Sequence, residues 1–312
     1  MPEVRRGFRE RARRFLLREY WNIGVVDQPI ADIARHGITR PVRWLPPPPR
    51  GTMLADPFCL IHPDGDRTVF AEFLDYRAPR GEIWSARMKP GRDLAEASFA
   101  PLLSNGRHMS YPQCVSDDRG TFLVCESWQS GGIPRWRHHD GAWVPLEPLL
   151  AGRPAVDPTL FRWHDRWWLF CTFADDGPDA RLHLFHAEVP AGPWSPHAAN
   201  PILVDPAGAR PAGPVFMLDG MPVRPAQDCS RTYGGAVMLN AITDLTPASY
   251  AERLLRRLDP PSSDYPDGLH TVCPAGEATL IDGKRWGADP RPLGQQALDA
   301  SCRAWRQVCG RR

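Results

Sequence analysis

The stretch that decides the fold is Val156-Asp157-Pro158-Thr159-Leu160-Phe161, a polar, proline-marked turn that opens an apolar strand. Two further strand-like runs follow it, RWWLFCTF and RLHLFHAEV. The same event recurs at intervals of roughly 45–60 residues, which is typical of β-propeller blades. The other openings are Ala55-Asp56-Pro57-Phe58, Ser110-Tyr111-Pro112-Gln113, Arg210-Pro211-Ala212-Gly213-Pro214 and Gly268-Leu269-His270-Thr271. The chain is therefore predicted to be all-β, a five-bladed β-propeller in which Asp56 and Asp157 face one axis.

The composition is that of a globular protein with an ordinary core. Of 312 residues, 42% are hydrophobic and 24% are charged, and the 35 prolines and 26 glycines fit many turns between short strands. A net charge of +2 gives no reason to expect a nucleic-acid partner. The eight cysteines form no C-x-x-C pair, so neither a zinc site nor a thioredoxin-type motif is expected.

The N-terminal region is basic and has no apolar signal-peptide core, and no apolar run reaches the ~18 residues that a membrane-spanning helix needs. A cytoplasmic location is therefore expected. Residues 3–21 have the spacing of a short helix, which either packs on the propeller rim or lies on an anionic membrane surface. Residues 1–45 are predicted to be a helical or extended arm, 46–290 the propeller, and 291–312 a C-terminal helical tail.

Within the propeller, Asp219-Gly220 and Asp282-Gly283 are predicted to be hairpin turns, because Asp-Gly between apolar runs favours them. Residues 246–258 read as a short helix that Thr246 caps, with Pro247 at its first position.

At the motif level the chain resembles one known family. The motifs that carry the resemblance include three of the blade openings, Ala55-Asp56-Pro57-Phe58, Ser110-Tyr111-Pro112-Gln113 and Asp157-Pro158-Thr159-Leu160-Phe161. The others are Cys125-Glu126-Ser127, Trp167-Trp168-Leu169-Phe170, Gly192-Pro193-Trp194, His197, Asn200-Pro201, Arg210-Pro211-Ala212-Gly213, Arg224-Pro225-Ala226-Gln227-Asp228, Tyr233-Gly234 and Gly268-Leu269-His270-Thr271. Jointly they resemble the N-terminal propeller domain of plant glucosamine inositolphosphorylceramide transferases and their bacterial relatives. More distantly the chain is similar to the family 43 glycoside hydrolases.

The hydrolase resemblance implies roles for three positions. An Asp that opens blade one is the general base there, which matches Asp56, and an Asp that opens blade three tunes pKa values and orients substrate, which matches Asp157. The hydrolases' acid is a Glu of blade four, but the opening of this blade, Arg210-Pro211-Ala212-Gly213, has no carboxylate. His270 corresponds to a histidine of the central channel that contacts calcium in some of these enzymes, so Ca²⁺ near His270 is possible. A structural hydrogen bond is the alternative role for this histidine.

Glycosidic chemistry needs one protonated and one ionised carboxyl group, and clustered carboxylates drive their pKa values apart. Asp56 is the expected base. Glu126 is the expected acid, because an apolar strand precedes it, and Glu72 and Asp75 are weaker alternatives. The competing interpretation is that each Asp-Pro is a turn whose carboxylate only caps backbone N–H groups.

Several further residues are expected to bind substrate. Arg210 and Arg224 repeat the string Arg-Pro-Ala, and two guanidinium groups can clamp a phosphate or carboxylate. The alternative pairs them with Asp228 or Asp205. Gln227 and Asp228 are expected at sugar hydroxyls, Tyr111 and His270 complete the predicted substrate-binding set, and Trp128, Trp167, Trp168 and Trp194 are candidates for a stacking platform.

These features favour a carbohydrate-active enzyme that acts at a glycosidic or glycosyl-phosphate bond. The absent blade-four acid and the two arginines favour sugar transfer in glycan or glycolipid assembly, with a glycan, a glycolipid or a sugar nucleotide as partner. A furanosidase-type hydrolase and a non-catalytic glycan-binding propeller are the alternatives, and an interaction scaffold without a sugar ligand is a third.

Overall fold

The computed structural model describes residues 17–118, 120–288 and 291, which form five antiparallel sheets arranged as blades around one axis. In chain order the strands are β1 (Leu17–Val26), β2 (Val42–Trp44), β3 (Thr52–Ile61), β4 (Arg67–Asp75), β5 (Ala78–Met88), β6 (Ala100–Leu103), β7 (Ser110–Asp117), β8 (Gly120–Glu126), β9 (Ile133–His139), β10 (Ala142–Leu149), β11 (Ala155–Trp163), β12 (Arg166–Phe173), β13 (Arg181–Ala187), β14 (Ser195–Pro196), β15 (Leu203–Val204), β16 (Phe216–Leu218), β17 (Met221–Asp228), β18 (Ala236–Leu245), β19 (Tyr250–Leu258), β20 (Val272–Ala275) and β21 (Ala278–Ala288).

Each of the first four blades takes consecutive strands, β3–β6, β7–β10, β11–β15 and β16–β19, and the fifth has the order β20, β21, β1, β2 from the axis outwards. The prediction of a five-bladed propeller is confirmed. The helical elements of the described chain are α1 (Ile30–His36) and the single 3₁₀ turns Leu94–Glu96 and Trp128–Ser130. No helix of that part of the chain is long and apolar enough to cross a membrane.

The hydrophobic core is divided among the five contacts between neighbouring blades. Phe70 of blade one packs with Leu123 of blade two, for example, and Phe161 of blade three packs with Ile242 of blade four. Buried side chains on both faces of the inner strands supply these contacts, which is why β11 and β12 are almost continuously apolar. Helix α1 places Ile30 and Ile33 over the contact between blades four and five.

The fifth blade corrects the predicted division of the chain. Residues 17–26 and 42–44 are its two outer strands, and β1 pairs with β21 from Leu17↔Ala288 to Val26↔Thr279. The described part of the predicted N-terminal arm is thus built into the propeller, and residues 17–21 are strand, not helix. The rest of the predicted N-terminal helix, and the C-terminal tail apart from Arg291, lie outside the described residues.

Two local predictions are also wrong. Residues 250–258 form edge strand β19, because they pair with β18, and Thr246 caps a hairpin turn by accepting the N–H groups of Ala248 and Ser249. Asp282-Gly283 lies inside β21, opposite Ile23 and Asn22, and the turn of that hairpin falls at Gly276. Asp219-Gly220 does form its predicted turn, with φ of 50° and 80°.

Candidate functional site

The site is built on a bulge that recurs in the innermost strands. Asp56, Tyr111 and Asp157 each precede a proline and have φ of 52°, 51° and 48°. At each position the pairing register with the second strand shifts by one residue. Positive φ at a residue other than glycine is strained, so such residues persist only where their surroundings hold them. In blade four Gly213, with φ of 125°, takes the same place before Pro214.

Side chains of neighbouring blades hold these bulges through their backbone N–H groups. Asp56 accepts the N–H of Tyr111 at 3.1 Å, and Glu126 accepts that of Asp157 at 3.1 Å. Asp282 accepts the N–H of Asp56 at 3.1 Å, and the Tyr111 hydroxyl accepts that of Gly213 at 2.7 Å. The polar ring around the axis therefore links all five blades.

Asp56 lies between blades five and one, against a buried histidine. Its Oδ1 accepts the Thr271 hydroxyl at 2.9 Å and lies 3.5 Å from His270 Nε2. Burial raises the pKa of Asp56 to about 6; His270 opposes this shift, and the carboxylates of Asp157 and Asp282 add to it. Asp56 thus changes charge just below neutral pH.

His270 is paired with Asp282, which is fully buried in β21. Nδ1 of His270 lies 2.6 Å from Asp282 Oδ2, and the backbone N–H groups of His270 and Thr271 both donate to Oδ1 at 3.0 Å. Burial works against a charged imidazole, but Asp282 and then Asp56 outweigh it, so the pKa of His270 is raised. The ring also stacks on Trp21, with centroids 3.8 Å apart.

On the other side of the axis, Arg210 brings Asp157 and Glu126 together. Its Nε donates to Asp157 Oδ2 at 2.6 Å, its Nη2 lies 4.0 Å from Glu126 Oε2, and its Nη1 reaches Asp179 at 2.9 Å. Gln227 donates to the same Asp157 oxygen at 3.0 Å. Burial raises the pKa of Glu126 well above its usual range, Asp157 adds to the shift, and Arg210 opposes it.

Glu72 is a further buried carboxyl group at this axis. Burial raises its pKa well above the usual range, and the charges of Asp56, Asp157 and Asp282 add to the shift. In the sequence analysis Glu72 is a weaker candidate for the acid than Glu126. In the structure the two residues hold equivalent positions, because Glu72 lies opposite Ala55 and Glu126 opposite Ser110, each next to a bulge.

Three predicted substrate-binding residues are engaged elsewhere. Arg224 is completely buried, points away from Arg210, and binds Glu252 at 2.6 Å and the carbonyl of Gly208 at 2.7 Å, so the predicted clamp of two arginines does not form. Asp228 pairs with Arg257, and Tyr111 is fully buried with its hydroxyl bound to Thr159 and Gly213. Gln227 joins the site through Asp157, not through an open surface.

A calcium ion is the cofactor that the sequence indicated near His270. Asp56, His270 and Asp282 do bring ligand atoms within 4.8 Å of one another. Calcium prefers roughly six to eight oxygen ligands, whereas the oxygens of Asp282 and Asp56 already accept hydrogen bonds from backbone N–H and hydroxyl groups. This donor set does not fit a calcium shell, and calcium at this place stays a prediction.

The sequence missed several residues of the site. Asp282 was interpreted as a turn residue, and His108 was given no role although its ring lies 3.6 Å from Glu72. Tyr233 packs beneath Arg210, with the guanidinium carbon 4.8 Å from the ring centroid, and Lys284 lies buried over Trp21. The blade repeat could have identified some of these residues. Glu72, Glu126 and Lys284 each pair with a residue next to the turn that opens the inner strand of their blade.

The rim at the end of the propeller that carries the bulges holds an exposed tryptophan and several exposed arginines. Trp128 is exposed there, two residues after Glu126, whereas Trp167 and Trp168 are buried and Trp194 is partly buried in the core. Four arginines on loops and strand ends of this side are exposed and have no carboxylate partner among the described residues: Arg80, Arg107, Arg153 and Arg231. A negatively charged ligand at this mouth would meet complementary charge.

Solved structures with the same architecture include glycoside hydrolases. An α-L-arabinofuranosidase from Podospora anserina aligns with a TM-score of 0.56 at 12% identity, over 80% of this chain and 94% of that one. An exo-β-1,3-galactanase from Clostridium thermocellum aligns with a TM-score of 0.53 at 8% identity, over 72% and 58%. At these identities the likeness establishes the fold alone.

Sequence relatives are closer. Glucosamine inositolphosphorylceramide transferase 1 of Oryza sativa subsp. japonica is 32% identical over 207 residues, which is 64% of this chain and 27% of that protein. The Arabidopsis thaliana protein of the same name is 28% identical over 213 residues, 64% of this chain and 26% of that protein. This chain thus spans about a quarter of the length of these relatives. Residues 49–257, more than half of the chain, match the model of one family, so the chain belongs to the family of the N-terminal domain of glucosamine inositolphosphorylceramide transferase 1.

Proposed function

We propose that this protein is a carbohydrate-active enzyme that acts at a glycosidic or glycosyl-phosphate bond. One observation carries the proposal: blades one to three bring Asp56, Glu72, Glu126 and Asp157 to one axis, where burial raises the pKa values of Asp56 and of both glutamates. The pKa of Asp56 rises to about 6 and those of Glu72 and Glu126 rise well above their usual range, so burial favours the protonated form of the two glutamates. This is the contrast between base and acid that glycosyl chemistry requires.

In the proposed reaction Asp56 takes the proton of the attacking hydroxyl group, from a sugar or from water. A buried glutamic acid, Glu126 or Glu72, gives its proton to the leaving oxygen as the glycosidic bond breaks. Asp157 orients the substrate, and its own position is fixed by Arg210 and Gln227. His270 and Asp282 keep the carboxylate of Asp56 in place.

We favour sugar transfer over hydrolysis. Blade four offers Arg210 and Gln227 where the hydrolase resemblance implies a carboxylic acid, and the mouth carries arginines without acidic partners. Both features suit a phosphate-bearing donor or acceptor. The names of the sequence relatives point the same way, although this chain spans only about a quarter of their length.

The experiment compares donors and variants. The wild-type protein and Asp56→Asn are incubated with a panel of sugar nucleotides and with aryl furanosides, and donor consumption is followed by chromatography. Action at a glycosyl-phosphate bond predicts that the wild type consumes a sugar nucleotide, and action at a glycosidic bond predicts that it consumes an aryl furanoside. Either activity is expected to fall by about 10²-fold or more in Asp56→Asn, as removal of a general base causes. Consumption of neither class, together with no sugar-dependent rise in Tm, contradicts the proposal.

A non-catalytic glycan-binding propeller is the second candidate. It is favoured by the observation that Asp56, Glu126 and Asp282 all accept backbone N–H groups, which is a structural duty. In that case Asp56→Asn retains both sugar affinity, measured by calorimetry, and the activity of any transferase that the propeller supports. The exposed ring of Trp128 then becomes the first residue to replace, since stacking on aromatic rings dominates sugar binding of this kind.

The predicted membrane contact rests on residues 3–21, of which residues 3–16 lie outside the described part of the chain, and the cytoplasmic location stays a prediction. Sedimentation with vesicles that contain anionic lipid, compared between the full chain and a variant lacking residues 1–16, tests the membrane contact. Binding that disappears with these residues supports it.

A further inference from the structure

The carboxyl groups of the axis differ in how their oxygens are used. Asp282, Asp56 and Glu126 each accept the N–H group of a bulge residue in the neighbouring blade. Glu72 does not: its Oε1 is buried and has no hydrogen-bond partner among the described residues. Since each bulge is strained, the three accepting carboxyl groups are needed to hold the backbone, whereas Glu72 holds none.

Glu72 nevertheless lies within the same charge cluster. Asp56, Asp157 and Asp282 raise its pKa in addition to the larger effect of burial, and Arg210 opposes them. These four residues come from four different parts of the fold: the inner strands of blades one and three, strand β21, and the opening of blade four. A buried polar atom without a partner is unfavourable, so its retention calls for an explanation beyond stability.

His108 faces Glu72 with a defined tautomer. Its Nδ1 accepts the N–H of Gly81 at 3.0 Å, so in the neutral imidazole the proton is on Nε2. Nε2 lies 3.6 Å from Glu72 Oε1. Burial, with a contribution from Arg210, lowers the pKa of His108, which favours this neutral form. His108 is about one quarter exposed, so it lies between Glu72 and solvent.

Gly81 makes this arrangement possible. A Cβ at residue 81 would lie 2.4 Å from the carbonyl oxygen of Met109, 2.6 Å from Glu72 Oε1 and 2.9 Å from Cε1 of His108. Only glycine lets the strand pass this close to both side chains.

We propose that Glu72 is the general acid of this site, that His108 is its positioning residue, and that Glu126 serves to hold the bulge at Asp157. This inference rests on the proposed function. The O–H bond of Glu72 breaks and its proton passes to the leaving oxygen, which also takes the electron pair of the breaking C–O bond. The attacking hydroxyl group gives its proton to Asp56 as the new bond to carbon forms. The Glu72 carboxylate accepts a hydrogen bond from His108 Nε2, and exchange with solvent returns a proton to Glu72 and removes one from Asp56.

The test uses leaving groups of different basicity. Glu72→Gln and, as its matched control in blade two, Glu126→Gln are assayed on phenyl and 2,4-dinitrophenyl α-L-arabinofuranosides. Loss of a general acid lowers kcat for phenyl by about 10²–10⁴-fold, but by less than about tenfold for dinitrophenyl, which leaves without a proton. Glu72→Gln is expected to follow this pattern, and Glu126→Gln to change both rates equally. The reverse assignment, or equal losses in Glu72→Gln, overturns the proposal.

The positioning role of His108 has its own readout. His108→Ala is expected to show the same dependence on the leaving group as Glu72→Gln and to cause no further loss in the double variant, because both act on one proton. Equal losses on both glycosides would indicate a structural role. The Tm of Glu72→Gln is expected within about 2 °C of wild type, since no hydrogen bond is lost.

Failure of the proposed function and failure of the role assigned to Glu72 give different experimental results. If the wild type turns over neither glycoside nor any sugar nucleotide, the proposed function and this inference fall together. If it consumes only sugar nucleotides, whose diphosphate leaves without a proton, the function stands and the acid role of Glu72 is refuted.

Discussion

Replacement of Asp282 by asparagine tests whether the buried carboxylate between blades five and one holds the ring together. Asp282 is completely buried and accepts three backbone N–H groups, from Asp56, His270 and Thr271. An amide has one accepting oxygen, so in either orientation its NH₂ group faces an N–H donor. Hydrogen bonds to a charged acceptor contribute about 1.5–3 kcal/mol each, and breaking a buried pair costs about 3–5 kcal/mol.

We therefore expect Asp282→Asn to lower the free energy of unfolding by about 3–5 kcal/mol. At about 2–3 °C per kcal/mol, the Tm falls by roughly 6–15 °C. Urea unfolding followed by tryptophan fluorescence measures the first value, and circular dichroism measures the second. Asp219→Asn is the matched control, because it makes the same chemical change at an exposed turn residue; its effect is expected within about 0.5 kcal/mol.

The pH dependence of the stability provides a second test of this prediction. His270 has a raised pKa in the folded protein, so its stabilisation is complete below the ordinary histidine pKa and is lost as pH rises through the raised value. The difference between wild type and Asp282→Asn should therefore shrink between pH 6 and pH 9. A loss below about 1 kcal/mol at pH 6, or a difference that grows with pH, would refute the reasoning.

Two further predictions concern the same axis, and a third concerns the buried pair of Arg224 and Glu252. The pKa of Asp56 is raised from 3.8 to about 6, so its favourable contribution to stability is present below pH 3.8 and is lost as pH rises through 6. Urea unfolding of the wild type, measured relative to Asp56→Asn, should therefore show a loss of about 3 kcal/mol between pH 4 and pH 7. If the stabilities of the two proteins depend on pH in the same way, the prediction is contradicted. Calcium at 1 mM or EDTA should move the Tm by less than about 1 °C, because the oxygens near His270 are already occupied; a saturable rise would establish the calcium site instead. Arg224→Met should lower the free energy of unfolding by about 3–5 kcal/mol, because it leaves Glu252 without its arginine, but sugar binding should stay intact. Adding Glu252→Gln should restore much of the stability. Weaker sugar binding at an unchanged Tm would show instead that Arg224 belongs to the ligand site.

The fold could be predicted because the short sequence motifs that mark individual strands also recur at the spacing of the blades. A bulge that precedes a proline, such as Asp56-Pro57 or Asp157-Pro158, marks the inner strand of each of the first four blades, and apolar runs on both strand faces follow from packing between blades. The helix predicted at residues 246–258 failed because an edge strand with one solvated side can show helical spacing by chance. Pairing with β18 then decides the outcome.

The site could be predicted only where the repeat itself carries it. Asp56, Asp157 and Glu126 occupy blade positions that recur, so their approach to one axis could be anticipated. Arg210 and Arg224 share the string Arg-Pro-Ala, yet one reaches Asp157 and the other Glu252, because one lies at the opening of blade four and the other within β17. Local sequence does not record which face of a strand a residue takes.

Asp282 marks the limit of local reasoning. An Asp-Gly pair between apolar runs favours a hairpin, and its position inside β21 follows from pairing with β1, more than 250 residues away in the chain. The carboxylate that holds two blades together is therefore invisible without its distant partner.

The shared sheet of β1 and β21 also has a consequence for biosynthesis. Four blades can fold in order as the polypeptide leaves the ribosome, but the fifth needs β20 and β21 to join β1 and β2, which are made before all the other strands. Until the segment up to Ala288 has emerged, the edges of β1 and of blade one stay uncovered, and Asp56 lacks half of its surroundings. A nascent or truncated polypeptide that stops before Ala278 is consequently an open arc with unpaired strand edges, a substrate for chaperones, and its axial cluster of carboxyl groups is complete only once β21 has been made.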